Sequence, residues 1–142
     1  MSVVSTSISM HASKLYQLVK SKLKRKDGNT KTYKYTVQTD KGPKRKMAEI
    51  TLTDVYSKER GKGKSVVIWD GTREIRITVD EKGKSGGVYG CLRGRGRGRD
   101  YRGGVYDAMR EANRIFDDIL EDSPESISDP FYYDVRSAIS GK

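Results

Sequence analysis

The chain has 142 residues, a length that suits one domain, and 34% of them are hydrophobic while another 34% are charged. The formal net charge of +10 concentrates polyanions near the surface, so it favours DNA, RNA or an anionic membrane as partners. No apolar run approaches the roughly 18 residues of a membrane-spanning helix, and no signal-peptide pattern stands at the N-terminus, so we predict no membrane association. The single cysteine, Cys91, cannot form an internal disulfide, which predicts a cytoplasmic protein, with association to the nucleoid as an alternative.

The charge is distributed unevenly along the chain. Residues 1–104 contain 25 Lys and Arg against 10 Asp and Glu, whereas residues 105–142 contain 4 against 9. This asymmetry indicates a basic body that binds a polyanion and an acidic end with another role. We therefore predict a nucleic-acid-binding domain over residues 1–122, and an acidic, aromatic tail or short helix over residues 123–142 that could recruit a protein partner.

Three segments have the periodicity of helices. The first is predicted to start after Ser9 and to run from about residue 10 to 25. Its apolar stripe comprises Ala12, Leu15, Val19 and Leu23. A second helix, over residues 105–121, has an apolar stripe broad enough to cover a sheet, and Pro124 ends it. Pro130 begins a short last helix.

The first predicted hairpin pairs Thr32–Thr39 with Lys44–Val55 around a four-residue loop at 40–43. The register of this hairpin follows from three opposed pairs: Tyr33 with Ile50, Tyr35 with Ala48, and Lys34 with Glu49. Apolar side chains then meet apolar ones and opposite charges meet, which supports the register. Tyr33 and Tyr35 are expected in the core because they alternate with polar residues.

The second predicted hairpin pairs residues 64–69 with 72–80 around the turn signal Asp70-Gly71. Its register opposes Trp69 to Thr72, Val67 to Glu74, and Val66 to Ile75. One face is apolar, and the other is mixed and carries the only tryptophan. The expected fold is α+β: a four-stranded antiparallel sheet of two hairpins with N- and C-terminal helices packed on one face. Residues 88–92 have the alternation of a further short strand.

The stretch RGRGRGRDYRGG at 93–104 is an Arg/Gly-rich, low-complexity segment that we predict to be a loop. Forked arginines displace the counterions of phosphates, and glycine lets the chain follow a nucleic-acid backbone. Aromatic side chains in a basic groove stack the bases of single strands. We predict that nucleic acid contacts Trp69, Arg76, Arg73, Lys34, Arg45, Lys62, Lys64, Tyr89, Arg93, Arg95, Arg97, Arg99, Tyr101 and Arg102.

We predict no catalytic residue, metal site or cofactor. His11 is the only histidine, so neither a Ser-His-Asp triad nor a Cys/His zinc set can be built. The segment Gly61–Ser65 is not a phosphate loop, because the required first glycine is Lys58 and a strand follows. A metal-dependent nuclease that uses Asp70 and Glu74 is a minor alternative.

The order of four antiparallel strands and then an amphipathic helix, over about residues 31–121, resembles the ββββα units of Whirly, PUR-type and ThermoDBP-type proteins. That resemblance implies sheet-based binding of single strands with little sequence specificity, often in a homodimer. The acidic, aromatic end is similar in logic to the partner-recruiting tail of bacterial single-strand-binding proteins. We therefore predict a single-stranded nucleic-acid-binding protein, with DNA slightly favoured over RNA. The alternative is an oligomeric structural or protein-interaction module, for instance a viral or accessory subunit.

Overall fold

The computed structural model describes residues 2–24, 29–57, 61–80, 88–94, 100–101 and 104–140, with side chains for 12–24, 29–56, 61–80 and 107–140. The helices are α1 (Ser2–Leu23), α2 (Gly104–Asp122) and α3 (Pro130–Ser140), and a 3₁₀ turn (Pro124–Ser128) joins the last two. The strands are β1 (Thr30–Thr39), β2 (Gly42–Ser57), β3 (Gly61–Trp69), β4 (Arg73–Asp80), β5 (Val88–Gly94) and β6 (Asp100–Tyr101).

The strands form one antiparallel sheet in the order β1-β2-β3-β4-β5-β6. The predicted four-stranded sheet and the α+β class are confirmed. The sheet continues further than predicted, because β5 pairs with β4 from Val79↔Val88 to Arg73↔Gly94, and β6 adds two residues. Part of the Arg/Gly-rich segment is therefore strand. Pairing along the edge of β4 uses main-chain groups, so it does not need the apolar side chains that the segment lacks.

The first hairpin has a tighter turn than predicted. Thr39 pairs with Gly42, so Tyr33 lies opposite Ala48 and not Ile50. Gly42 has a φ of +99°, which only glycine adopts readily, and this residue closes the turn immediately after Lys41. The predicted register was wrong by two residues. A shift of two leaves every side chain on its predicted face, so the predicted core position of Tyr35, which is 3% exposed, is confirmed.

The second hairpin shows the same two-residue shift. Trp69 lies opposite Glu74 rather than Thr72, because the loop extends over Asp70–Thr72. The Asp70 carboxylate holds this loop by accepting hydrogen bonds from the main-chain N–H groups of Thr72 and Arg73, each at 2.9 Å. Gly71, with a φ of +99°, supplies the reversal of direction. The turn signal at Asp70-Gly71 was therefore right, and the register drawn from it was wrong.

All three helices pack on one face of the sheet. Tyr16 of α1 lies under the Lys64 ammonium group of β3, at 5.6 Å from ring centroid to Nζ. Tyr132 of α3 packs edge-on against Tyr33 of β1 and donates a hydrogen bond to the Phe116 carbonyl of α2. The core buries apolar residues of every one of these helices and of β1 to β4.

Two helical boundaries differ from expectation. Helix α1 begins at Ser2, eight residues before the predicted start, because no glycine or proline interrupts residues 2–9. Helix α3 starts at Pro130 as predicted, and its buried residues Phe131, Val135 and Ile139 belong to the same core as the sheet. None of the helices in the described residues combines the length and apolar character needed to cross a membrane.

Candidate nucleic-acid interface

One face of the sheet carries no helix among the described elements. Side chains alternate along a strand, and the buried core takes Ile50, Ile68 and Ile75, so their neighbours in the chain point the other way. This helix-free face includes Lys34, Arg45, Met47, Glu49, Val67, Trp69, Glu74 and Arg76. This face therefore brings together four of the predicted contact residues: Trp69, Arg76, Lys34 and Arg45.

Trp69 ends β3 and is neither fully buried nor fully exposed. Its Cα partners are Glu49 on β2 and Glu74 on β4, so a carboxylate stands in the neighbouring position on each side. The two flanking glutamates repel phosphates, so they disfavour a phosphate path directly across this row of the sheet.

Arg76 lies beside the same row, two residues along β4 from Glu74. Its Nη2 atom is 3.3 Å from the Glu74 carboxylate, and the pair partly neutralises the middle of the helix-free face. The Nε atom of Arg76 is buried and has no hydrogen-bond acceptor among the described residues.

Four cations without an acidic partner among the described residues lie together at one end of the sheet. Strand β3 ends at Trp69, opposite Glu49, so β2 between Gly42 and Ala48 has β1 on one side and no described strand on the other. Beside this free edge lies the β3–β4 turn, and the two enclose a cavity of about 500 Å³. We call it the basic notch; the charged residues that line it are Lys34, Lys44, Arg45, Lys46 and Asp70.

The acid in the basic notch is committed to its own turn. Besides the two main-chain N–H groups, the Thr72 hydroxyl donates to Asp70 Oδ1 at 2.9 Å, and Arg73 Nε lies 3.5 Å from Oδ2. Burial alone would raise the pKa of Asp70, but these hydrogen bonds and the Arg73 charge hold it below its usual value. No described carboxylate lies within 4 Å of the four cations, so they are free to bind an anion.

Two predicted phosphate ligands have structural partners on the helix-covered face. Arg73 forms an ion pair with Glu111 of α2, which joins the sheet to that helix. Lys64 forms an ion pair with Asp54 on the neighbouring strand and also covers Tyr16. The structure therefore does not bring these cations together with Trp69. Lys62, on the same strand as Lys64, is exposed at the far end of the sheet from the basic notch.

The remaining predicted contacts lie in the Arg/Gly-rich region. The main chain of Tyr89 pairs with Thr78, that of Arg93 with Glu74, and that of Tyr101 with Leu92. These pairs put the backbones of Tyr89 and Arg93 next to β4. Arg95, Arg97, Arg99 and Arg102 lie outside the described residues.

The described residues hold no group of three or more His, Cys, Asp or Glu side chains arranged to bind a metal ion. The two carboxylates of the nuclease alternative have other partners, since Asp70 holds its turn and Glu74 contacts Arg76. Asp70 lies in the β3–β4 loop and Glu74 lies in β4, and the two carboxylates contact different residues. We therefore find no support in this part of the chain for that alternative.

Lys44 and Lys46 belong to the basic notch, although the sequence prediction did not include them among the contact residues. In the sequence they are two of many basic residues. The signal that singles them out is the run Lys44-Arg45-Lys46, which begins two residues after the turn glycine Gly42, because three consecutive cations at the start of a strand put charge on both of its faces.

None of the family models, curated proteins or solved structures compared with this chain matches it. The resemblance to Whirly, PUR-type and ThermoDBP-type proteins therefore stays a prediction. The argument for function rests on the helix-free face and the basic notch themselves.

Proposed function

We propose that this protein binds single-stranded nucleic acid on the helix-free face, with a base stacked on Trp69 and the phosphates directed into the basic notch. One observation carries the proposal: the only tryptophan is partly exposed on a sheet face without a described helix, next to a cavity lined by four basic residues that lack acidic partners among the described residues. Stacking and phosphate contacts are the two terms that hold single strands without sequence preference.

The geometry supports one path for the bound strand, from Trp69 towards the basic notch. Met47 lies on the helix-free face between Lys34 and the β3–β4 turn, and Glu49, the partner of Trp69, is two residues further along β2. At about 3.4 Å per residue, Trp69 is roughly 7 Å from the row of the basic notch, which a sugar can bridge. The glutamates beside Trp69 disfavour phosphates there, so the backbone turns towards the cations.

A single strand fits this surface better than a duplex. Stacking on an indole requires a base whose flat face is exposed, and duplex bases are covered by their neighbours. A tryptophan can stack on any of the bases, and lysine and arginine side chains contact phosphates that are the same at every nucleotide. We therefore expect little dependence on sequence.

The test is a titration of a labelled single-stranded oligonucleotide with the natural protein and with Trp69→Ala. Loss of stacking should weaken binding by about 1–3 kcal/mol, and the indole fluorescence of the natural protein should be quenched on binding. Tyr56→Ala is the matched control, because Tyr56 is an aromatic residue of the same sheet that is 74% exposed at the opposite end of β2. Urea unfolding of both variants separates lost contacts from lost folding.

Equal affinity of Trp69→Ala and the natural protein would exclude the stacking role. A duplex that binds as tightly as the single strand and quenches the indole equally would exclude the single-strand preference. Raising the salt concentration should weaken binding to the natural protein, because phosphate contacts release counterions.

A specific observation favours the assembly module as a second candidate. Away from the basic notch, the helix-free face is largely neutral: Val55 and Val67 are half-buried, and Ser65 is fully buried between its strand neighbours. Such a surface can pack against another sheet. A dimer that keeps its mass in about 1 M salt, where exposed charges are screened, and does not bind oligonucleotides at low salt would favour this candidate.

A further inference from the structure

The basic notch has the charge of a site for a compact phosphate group. Four basic residues and one acidic residue line it, so its lining residues have a formal net charge of +3. A phosphodiester inside a strand brings a single negative charge. A phosphomonoester carries about −1.5 to −2 at pH 7, and a pyrophosphate or longer chain carries more, so these groups match the basic notch better.

The position of the basic notch adds donors that do not depend on charge. Because β3 ends at Trp69, the main chain of β2 from Gly42 to Ala48 has no strand partner on the side of the cavity within the part of the chain that the structure describes. Main-chain N–H groups at such a free edge are donors suited to phosphate oxygens. The Asp70 carboxylate is already hydrogen-bonded to Thr72 and Arg73, so it does not compete for the cations.

We propose that the basic notch binds a phosphate group with two or more negative charges. Two sources share this chemistry: the terminal phosphate of a nucleic-acid strand, and the phosphate chain of a free nucleotide or inorganic polyphosphate. The inference depends on the basic notch alone and does not require that a base stacks on Trp69.

The probe is inorganic pyrophosphate, titrated into the full-length protein at low salt and followed by calorimetry and by amide chemical shifts. We expect saturable binding of one pyrophosphate, with the largest shifts in residues 42–48 and 70–72. The double variant Lys44→Gln/Arg45→Gln should bind at least tenfold more weakly, because a cation about 5 Å from two negative charges contributes roughly tenfold even in water.

The matched control is Lys14→Gln/Lys20→Gln. It removes the same charge from two exposed positions of α1, outside the cavity. We expect less than a twofold change in pyrophosphate affinity for this control. Equal weakening in both double variants would show a general effect of net charge and would overturn the proposal, as would the absence of saturable binding to the natural protein.

An oligonucleotide made with a 5′-phosphate, with a 3′-phosphate and with neither identifies the source. A terminal phosphate that strengthens binding to the natural protein, but not to Lys44→Gln/Arg45→Gln, identifies a strand end as the ligand. If the terminal phosphates have no effect while pyrophosphate binds in the basic notch, the ligand is a free polyphosphate or nucleotide. Both results support a phosphate site.

Trp69→Ala separates this inference from the proposed function. Pyrophosphate has no base, so its affinity should be unchanged in that variant. If pyrophosphate binds and the unphosphorylated oligonucleotide does not, the basic notch is a phosphate site and single-strand binding is wrong. If the oligonucleotide binds through Trp69 and pyrophosphate does not bind, single-strand binding is supported and the phosphate site is wrong.

Discussion

Replacement of Asp129 by alanine should detach α3 from the edge of the sheet. Its carboxylate accepts hydrogen bonds from Lys31 Nζ at 2.6 Å and from the Tyr33 hydroxyl at 2.7 Å, both on β1. The other carboxylate oxygen caps α3 by accepting a hydrogen bond from the Phe131 N–H at 3.1 Å. One side chain therefore connects the start of the last helix to the edge strand.

The expected loss is about 2–3 kcal/mol of unfolding free energy. The helix cap contributes about 1 kcal/mol, and the half-buried hydrogen bond from Tyr33 to a charged acceptor contributes about 1–2 kcal/mol. Lys31 adds little, because its side chain is 46% exposed and water screens the ion pair. Asp129→Asn can retain the cap, so it should lose only about 1–2 kcal/mol.

The assay is urea unfolding at neutral pH followed by circular dichroism. Asp122→Ala is the control, because Asp122 is an exposed acid at the end of α2, where a negative charge opposes the helix dipole. That control should be neutral or slightly stabilising. A loss below about 0.5 kcal/mol for Asp129→Ala would refute the view that this contact fixes α3 to β1.

The dependence on pH tests the same contact. Burial alone would raise the pKa of Asp129, but hydrogen bonds from Lys31 and Tyr33 and the Lys31 charge hold it below its usual value. A carboxyl group whose pKa is depressed by folding stabilises the protein above its unfolded pKa of about 3.9 and loses that contribution as the pH falls through the folded pKa. The advantage of the natural protein over Asp129→Asn should therefore disappear at low pH, and an advantage that persists would contradict the assignment.

Two further predictions concern the sheet. Burial, and then the negative charges of Asp118 and Asp70, raise the pKa of Tyr35 to about 12, so its contribution to stability is present below about pH 10 and is lost as the pH rises towards 12. Urea unfolding between pH 9 and pH 12 should therefore decline less steeply in Tyr35→Phe, by up to about 1.4 kcal/mol per pH unit, and parallel curves would contradict the shift. Gly63→Ala should cost about 1–3 kcal/mol in the same assay at pH 7, because the added Cβ would lie 2.7 Å from the Val79 carbonyl oxygen. Unchanged stability of that variant would show that β3 and β4 can move apart there.

Alternation of side chains made the faces of the sheet predictable, and it could not make the register predictable. Tyr35, Ala48 and Ile68 are buried as their spacing implies. A slip of two residues moves none of these side chains to the other face, so the hydrophobic pattern is equally satisfied by both registers. What decides between them is the conformation of Gly42 and Gly71, and the sequence shows only that glycine permits it.

Strands β5 and β6 show a second reason why the sequence did not predict the whole sheet. Composition predicted a loop over residues 93–104, because arginine and glycine offer no apolar face to bury. The structure nevertheless extends β5 to Gly94 and adds β6 at Asp100–Tyr101. The free edge of β4 offers hydrogen-bonding groups to any extended segment, and that is a property of the assembled sheet rather than of the segment.

The basic contact residues were predicted from charge alone, which could not show which cations already have partners. Arg73 and Lys64 appear as favourable for phosphate as Arg45 does, but each has an acid of the fold beside it. Such pairs depend on residues far apart in sequence, for instance Arg73 with Glu111, so no local pattern reveals them. Only the folded chain separates cations that stabilise the structure from cations that are free to bind.

The distinction between paired and unpaired cations shows where part of the net charge of +10 is available to a ligand. Three acids of residues 105–142 contact basic residues elsewhere in the fold: Glu111 pairs with Arg73, Asp129 pairs with Lys31, and Asp134 lies 3.6 Å from Lys22. None of these three acids pairs with Lys34, Lys44, Arg45 or Lys46, the cations of the basic notch. A polyanion drawn to this protein therefore meets there a cluster of positive charge that has no ion pair with the described acids.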